Sequence, residues 1–250
     1  MLFVCLLGIA WGRILNQIAY LLIRDYAPIT SCASCPYCQY TYVWHHRIPI
    51  LSYVVSRGRC QQCSATLPPY NFFVELLTGF TLCSLWLSSP ASTYFPAYFL
   101  FFSALLVTIR TDLETLLIAR LCTIHLIPIA LLLSAVDLLP LSFFESMFGA
   151  ALGYLLLYGM MHFFTRLTGK QGMGLGDLDL LACIGAFTGP SGAWISLLIG
   201  STCGSIAGCV MMLIMKRSKE EPLPFGPFLA LGAMIYVLWQ QQLLAMLFSV

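Results

Sequence analysis

The chain has 250 residues; 60% are hydrophobic, only 9% are charged, and the formal net charge is +2. A soluble domain of this size carries roughly a quarter charged residues, so the composition excludes a soluble enzyme and defines a polytopic protein of the lipid bilayer. The small net charge, with no long basic tract, excludes nucleic acid as a partner.

A bilayer span takes about 20 mostly apolar residues. In chain order, spans are predicted over 2–23, 72–89, 97–111, 116–136, 143–164, 178–189, 193–215 and 225–249. The third and sixth are short, so the count is eight or seven. The expected fold is an all-α polytopic membrane helix bundle of about eight spans. It divides into a first helix (1–24), a polar loop (25–69) and a bundle body (70–250). No small-residue cleavage site follows the first stretch, which reads as a retained helix rather than a removed signal. The hydropathy shows no internal repeat.

The cations orient the bundle. With 25–69 on the cytoplasmic side, the other inside loops are 112–115, 165–177 and 216–224. Arg24, Arg47, Arg57 and Arg59 belong to or flank the first, and Arg110 and Arg120 flank the second. Arg166 and Lys170 fall in the third, and Lys216, Arg217 and Lys219 in the fourth. The outside connections near 90–96, 137–142 and 190–192 carry neither Lys nor Arg. Only Arg13 lies elsewhere, within the first helix, in accord with the positive-inside rule. Both termini then face outward.

The polar loop holds five of the 11 cysteines. "CASCPYCQY" supplies Cys32, Cys35 and Cys38, and "RGRCQQC" supplies Cys60 and Cys63. Two C-x2-C pairs, Cys35/Cys38 and Cys60/Cys63, form a four-thiolate zinc signature. Four thiolates leave no open coordination position, so the zinc is structural, and it folds a loop too small for a core of its own. A reducing cytoplasm disfavours the alternative of disulfides. Cys32 also forms a C-x2-C with Cys35; Pro36 and Tyr37 favour the tighter Cys35–Cys38 knuckle. His45 and His46, between the knuckles, read as a solvated pair. His125 and His162 read as packing residues. The other six cysteines behave as small hydrophobes.

Ten acids exist in the whole chain. Asp112 falls at the cytoplasmic end of the third span. Asp177 falls at the start of the sixth, in "GMGLGDLD" (172–179). An ionisable group at membrane depth usually faces the bundle interior or a water-filled cavity. Two carboxylates held close cannot both ionise easily. Such a pair activates a water with one member while the protonated member polarises a carbonyl. Gly174 and Gly176 allow unusual dihedrals and close approach of a substrate chain. The blander alternatives are that Asp177 caps a helix and that Asp112 and Glu114 are solvated interface charges. Glu75, in "NFFVELLTG", reads alone as an interface charge or an arginine's partner.

Taken together these words resemble the type IV prepilin peptidases, bacterial inner-membrane aspartic proteases of the G-x-G-D class. "GRILNQIAYLLIR" resembles the family's G-S-F-L-N-V-x-I-x-R, and "CPYC…HHRIPILSYVVSRGRCQQC" its zinc-knuckle loop. "FFVELLTG" resembles V-E-L-L-T-G. "TDLETLLIAR" resembles the first aspartate box, I-D-x-x-x-x-x-I-P-D, and "MGLGDLDLLACIGAFTG" the second, G-x-G-D-x-K-L-L-A-x-x-G-x-x-x-G. "LPFGPFLALGA" resembles P-F-G-P-F-L-A-x-G. All six stand in order along nearly the whole chain.

The resemblance implies a catalytic pair of Asp112 and Asp177, box glycines Gly174 and Gly176, and zinc ligands Cys35, Cys38, Cys60 and Cys63. It implies cleavage of a short basic leader from type IV prepilins or type II secretion pseudopilins on the cytoplasmic side. It also implies N-methylation of the new amino terminus with S-adenosylmethionine, a half to which Glu75 belongs. Three departures stand out. Arg120 replaces the closing acid of the first box, Asp179 replaces the lysine of the second, and "SATLPPYNFFVE" lacks the family's arginine. Two further readings remain in play: a non-catalytic assembly factor of a secretion apparatus, and a small ion-coupled transporter, which would show a hydropathy repeat.

Overall fold

The computed structural model describes residues 2–23, 38, 50–66, 69–88, 93–169, 173–214 and 224–248. Among these, all regular structure is helical apart from one isolated bridge between Arg59 and Thr66. The helices are α1 (Leu2–Ile23), α2 (Leu51–Val55), α3 (Tyr70–Ser88), α4 (Phe95–Thr115), α5 (Leu126–Ala135), α6 (Phe143–Thr168), α7 (Leu175–Ile214) and α8 (Gly226–Phe248). A 3-10 turn, Arg120–Cys122, lies between α4 and α5.

Six of these helices are long and apolar enough to cross a membrane. One of them, α7, is two helices. Gly189 has φ 73° and ψ −177°, a conformation open essentially to glycine alone, and Pro190 follows. An unbroken helix would separate Asp177 from Gly204 by about 40 Å. Yet Asp177 lies within electrostatic reach of Asp112, whose carboxylate touches the start of α8, and Gly204 packs on Phe225 and Phe228 beside that same start. The chain therefore folds back at Gly189–Pro190. With both arms of α7 and the shorter α5, eight apolar helical segments lie along this multi-pass membrane protein.

Two span boundaries differ from expectation. The stretch 116–136 is not one helix: Leu116 caps α4 in the left-handed conformation, residues 117–119 are irregular, and α5 itself is only 10 residues long. The 190–192 connection between the sixth and seventh spans is not a loop but the elbow inside α7. The expected loop residues Arg24, Arg47, Lys170, Lys216, Arg217 and Lys219 lie outside the described residues.

Helix α4 is the axis of the bundle. Its residues from Phe101 to Asp112 are all buried, and a helix that is apolar nearly all round belongs inside. It packs on α1 and α3 on one side and on α8 on the other. Helix α6 shows the opposite pattern. Ser146, Gly149, Gly153 and Leu157 form one stripe against α7, while Phe144, Phe148, Leu155, Phe163 and Leu167 point outward, as lipid-facing residues do. Its start is fixed by a capping box: the Ser142 hydroxyl accepts the Glu145 N–H, and the Glu145 carboxylate accepts the Ser142 N–H at 2.8 Å. Gly169, at φ 69°, ends it.

Candidate functional site

Asp112 stands in the last turn of α4 and is only 4% exposed. A carboxylate so buried needs donors. One is supplied from the far end of the sequence: the backbone N–H of Gly226 donates to Asp112 Oδ2 at 3.0 Å. Gly226 is the first residue of α8, so the donor is one of the N–H groups a helix leaves unpaired at its start, where its dipole favours negative charge. The approach requires glycine, because a Cβ there would sit 2.8 Å from Asp112 Oδ2. The solvated-charge alternative for Asp112 is thereby overturned by its burial.

Asp177 lies half-buried in the first turn of α7, and the charge of Asp112 acts on it. The structure thus brings together two acids that are 65 residues apart in the chain. Asp177 is inside the helix rather than at its capping position; its N–H donates to the Gly174 carbonyl at 3.3 Å. The expectation of unusual dihedrals at the two box glycines is corrected: neither adopts a left-handed backbone. Gly176 instead allows close packing, since a Cβ there would meet Ile118 Cβ at 2.9 Å. Gly174 is exposed, and among the described residues a Cβ there would meet only ordinary contacts, Asp177 Oδ2 at 3.7 Å the nearest.

A second polar cluster joins α1, α3 and α4. Glu75, buried on α3, accepts the Ile50 N–H at 2.7 Å and pairs with Arg13 of α1 at 3.6 Å. This is the arginine partner its sequence context anticipated. Asn16 Nδ2 donates to the Asn71 carbonyl at 3.0 Å. Asn16 Oδ1 is a buried acceptor with no hydrogen-bond partner among the described residues. Arg110, 2% exposed, donates from Nε to Asn71 Oδ1 at 2.9 Å, pairs with Glu114, and stacks 3.8 Å over the Tyr70 ring. The two histidines expected as packing residues are both exposed: His125 Nδ1 meets the Arg120 carbonyl at 3.2 Å and His162 stacks on Tyr158.

The cysteine loop is described in part. Cys38, Cys60 and Cys63 place their sulfurs within 4.8 Å of one another, a cluster that could hold a metal ion. Cys38 Sγ and Cys60 Sγ are 3.7 Å apart. Tetrahedral thiolate sites with metal–sulfur bonds of about 2.3 Å set sulfurs about 3.8 Å apart, so the donors fit. The Cys60–Cys63 turn is closed by the Ser64 N–H to the Cys60 carbonyl and by the Cys60 N–H to the Ala65 carbonyl, both 2.9 Å. Cys32, Cys35, His45 and His46 lie outside the described residues.

Sequence reasoning singled out the two acids but missed Gly226 and Ile118 beside them and the role of Arg110 in the second polar cluster. Gly226 was visible inside "LPFGPFLALGA", though nothing in that word ties it to Asp112. Ile118 and Arg110 had no local signal beyond an apolar residue in a loop and a cation near a span's end.

A membrane protein whose regular structure, among the described residues, is all but wholly helical, with two acids gathered at one end of its bundle and a separate thiol cluster, is the class that the fold and site define. Residues 6–89 match the Bacterial Peptidase A24 N-terminal domain and residues 99–209 match the Type IV leader peptidase family; the chain belongs to that family. It is 34% identical over 209 residues to a prepilin leader peptidase/N-methyltransferase of Aeromonas hydrophila, covering 84% of this chain and 71% of that protein. Proteins of the same name from Stutzerimonas stutzeri and Pseudomonas aeruginosa are 31% and 30% identical over 215 residues, covering 84% of this chain and 73% and 72% of theirs. No solved structure matches the chain.

Proposed function

We propose that this protein is a membrane aspartic endopeptidase that removes the short basic leader from type IV prepilins or type II secretion pseudopilins, with Asp112 and Asp177 as its catalytic pair. The observation that carries this reading is the burial of Asp112 beside Asp177 under the N–H of Gly226. One carboxylate takes a proton from a water held between the pair. The other, carrying a proton, polarises the scissile carbonyl and then protonates the leaving amine. The Gly226 N–H fixes the orientation of the Asp112 carboxylate and leaves its second oxygen for the reaction. Gly174, exposed beside Asp177, is where an extended peptide would approach.

Cys35, Cys38, Cys60 and Cys63 hold a structural zinc in this reading, which orders the loop next to the second polar cluster. The protein sits in the bacterial inner membrane with the zinc loop and both aspartates toward the cytoplasm in this reading, which the cation distribution supports. N-methylation of the trimmed substrate is a second activity. S-adenosylmethionine, when bound, supplies an electrophilic methyl group. Glu75 and the unpartnered Asn16 Oδ1 form a buried acceptor set that fits an ammonium-bearing cofactor.

The test is leader cleavage in liposomes by wild type, Asp112→Asn and Asp177→Asn, with and without S-adenosylmethionine, read by product mass. Cleavage by wild type alone, with a methyl added only when the cofactor is present, is the expected result. Cleavage that persists in either Asn variant refutes the catalytic pair. A folded, zinc-loaded wild type that cleaves no leader across several candidates would shift the reading to an assembly factor.

A further inference from the structure

The segment after α4 carries three residues that meet α7 in step. Ile118 packs on Gly176, Arg120 is the charge acting on Asp179, and Cys122 is the ionisable neighbour of Cys183. Positions 176, 179 and 183 fall on one face of a helix. Ile118 also reaches a second helix. Its Cδ1 lies 3.2 Å from where a Cβ on Gly226 would stand, and its Cβ 2.9 Å from where one on Gly176 would stand. Gly176 immediately precedes Asp177, and Gly226 is the donor to Asp112. One side chain therefore touches the backbone that sets each acid. The segment leaves α4 through Leu116, held at φ 56°, a conformation a branched residue adopts only under constraint.

We propose that Ile118 is the positioning residue of the aspartate pair, a wedge seated between the two glycines beside Asp177 and Asp112, on a segment whose Arg120 lies within electrostatic range of Asp179 on α7. The proposal rests on the peptidase reading above. It also accounts for two of the chain's departures from its family's boxes. A cation stands at 120 where an acid is usual, and an acid at 179 where a lysine is usual. The two residues are opposite in charge and lie within electrostatic range of each other.

Exchanging size across the wedge is the test. Ile118→Gly removes it, including the Cβ that meets Gly176, and Gly176→Ala pushes it out. Each single variant is expected to lower kcat for leader cleavage about tenfold with KM little changed, because misplaced groups slow the reaction more than binding. The double variant, whose new methyl fills the vacated space, recovers most of the rate. A parallel charge exchange should behave alike: Arg120→Asp and Asp179→Lys each slow the reaction about fivefold, and together they restore it. Singles with wild-type kcat, or doubles no faster than the product of the singles, overturn the proposal. Melting temperatures of the same variants in detergent report the Ile118–Gly176 contact without any substrate. Coupled melting shifts with a wild type that cleaves nothing would condemn the peptidase reading while leaving the contact standing. Additive shifts would remove the contact itself. If the glycine variant does not fold, Ile118→Ala, which keeps the Cβ at Gly176 and gives up the Cδ1 contact at Gly226, tests the Gly226 side of the wedge alone by the same kcat loss.

Discussion

The Asp112 carboxylate is held by the backbone N–H of Gly226, a residue 114 positions further along the chain. This places the start of α8 against the last turn of α4, and it explains why the residue at 226 has no side chain. A Cβ would collide with the oxygen it now serves, at 2.8 Å, and press on Ile118 Cδ1 at 3.2 Å. Gly226→Ala keeps the donor but displaces the acceptor. A displacement near 1 Å at a reacting group costs about 100-fold in rate, so kcat for leader cleavage should fall by about that factor. Circular dichroism and melting temperature should stay close to wild type. A variant that cleaves at the wild-type rate would mean that the Gly226–Asp112 contact does not set the chemistry.

A different pair of glycines holds the bundle together away from the acids. Gly149 of α6 and Gly185 of α7 pack backbone to backbone, and Gly153 lies against Leu181 and Ala182 one turn on. Small residues at such spacing let membrane helices approach closely where no hydrophobic driving force separates helix from lipid. Gly185→Val should therefore force the helices apart and destabilise the protein by about 1–3 kcal/mol, in line with overpacking elsewhere. The readout is the melting temperature in detergent. Because the crossing is one helix turn or more from Asp177, the rate per folded molecule should change far less than the stability.

Much of this architecture is legible in the sequence, and the reasons differ residue by residue. Helices α1, α3, α6 and α8 announce themselves by length and hydropathy, since a spanning helix must bury nearly every residue in lipid or protein. Asp112 and Asp177 are visible because charge is scarce and costly at that depth. The reading of 116–136 as one span went astray because its one Gly or Pro, Pro128, lies ten residues past Ile118 and does not mark the irregular segment there. The break between the sixth and seventh spans was legible because Gly-Pro is a turn signal, and the chain folds back at Gly189–Pro190 in a tight elbow with no loop between the two helices. The contacts of Ile118 and Gly226 could not be read at all, because each depends on residues far apart in sequence meeting at one end of the bundle.

Arg110 lies two residues from Asp112 on α4 and faces the opposite way, into α3. Its guanidinium joins Asn71, Glu114 and the Tyr70 ring. Arg110→Leu would strand a carboxylate and an amide, and breaking a buried charged pair from one side typically costs about 3–5 kcal/mol. The expected outcome is poor yield of folded protein in membranes. Arg110→Lys keeps the charge but loses the Nε bond to Asn71 and the flat stacking over Tyr70, so it should recover only part of the melting temperature. Full recovery by lysine would show that charge alone matters there.

The last prediction concerns the thiol cluster. Cys38, Cys60 and Cys63 meet with their sulfurs in tetrahedral reach of one ion, and the hairpin they close carries two exposed arginines. Arg57 stands in the turn at φ 49° and Arg59 pairs with Thr66 across the knuckle. Small loops held by a structural zinc unfold when the metal leaves. Chelation should therefore release one zinc per chain and open the hairpin to trypsin after Arg57 and Arg59, while the membrane helices stay protected. Mass spectrometry of the fragments reads the cut sites directly. Cys60→Ser should show the same cuts without chelator, because Cys60 is the buried member of the cluster and its removal cannot be offset from solvent. The Ile50 N–H is tied to Glu75 from the other end of the hairpin. Loss of the metal should thus loosen the polar cluster of α1 and α3 before it disturbs the aspartates. Methylation is expected to fail at chelator concentrations that leave leader cleavage largely intact. A single chelator titration that follows both products by mass checks that order, and simultaneous loss of both activities would place the zinc under the aspartates instead.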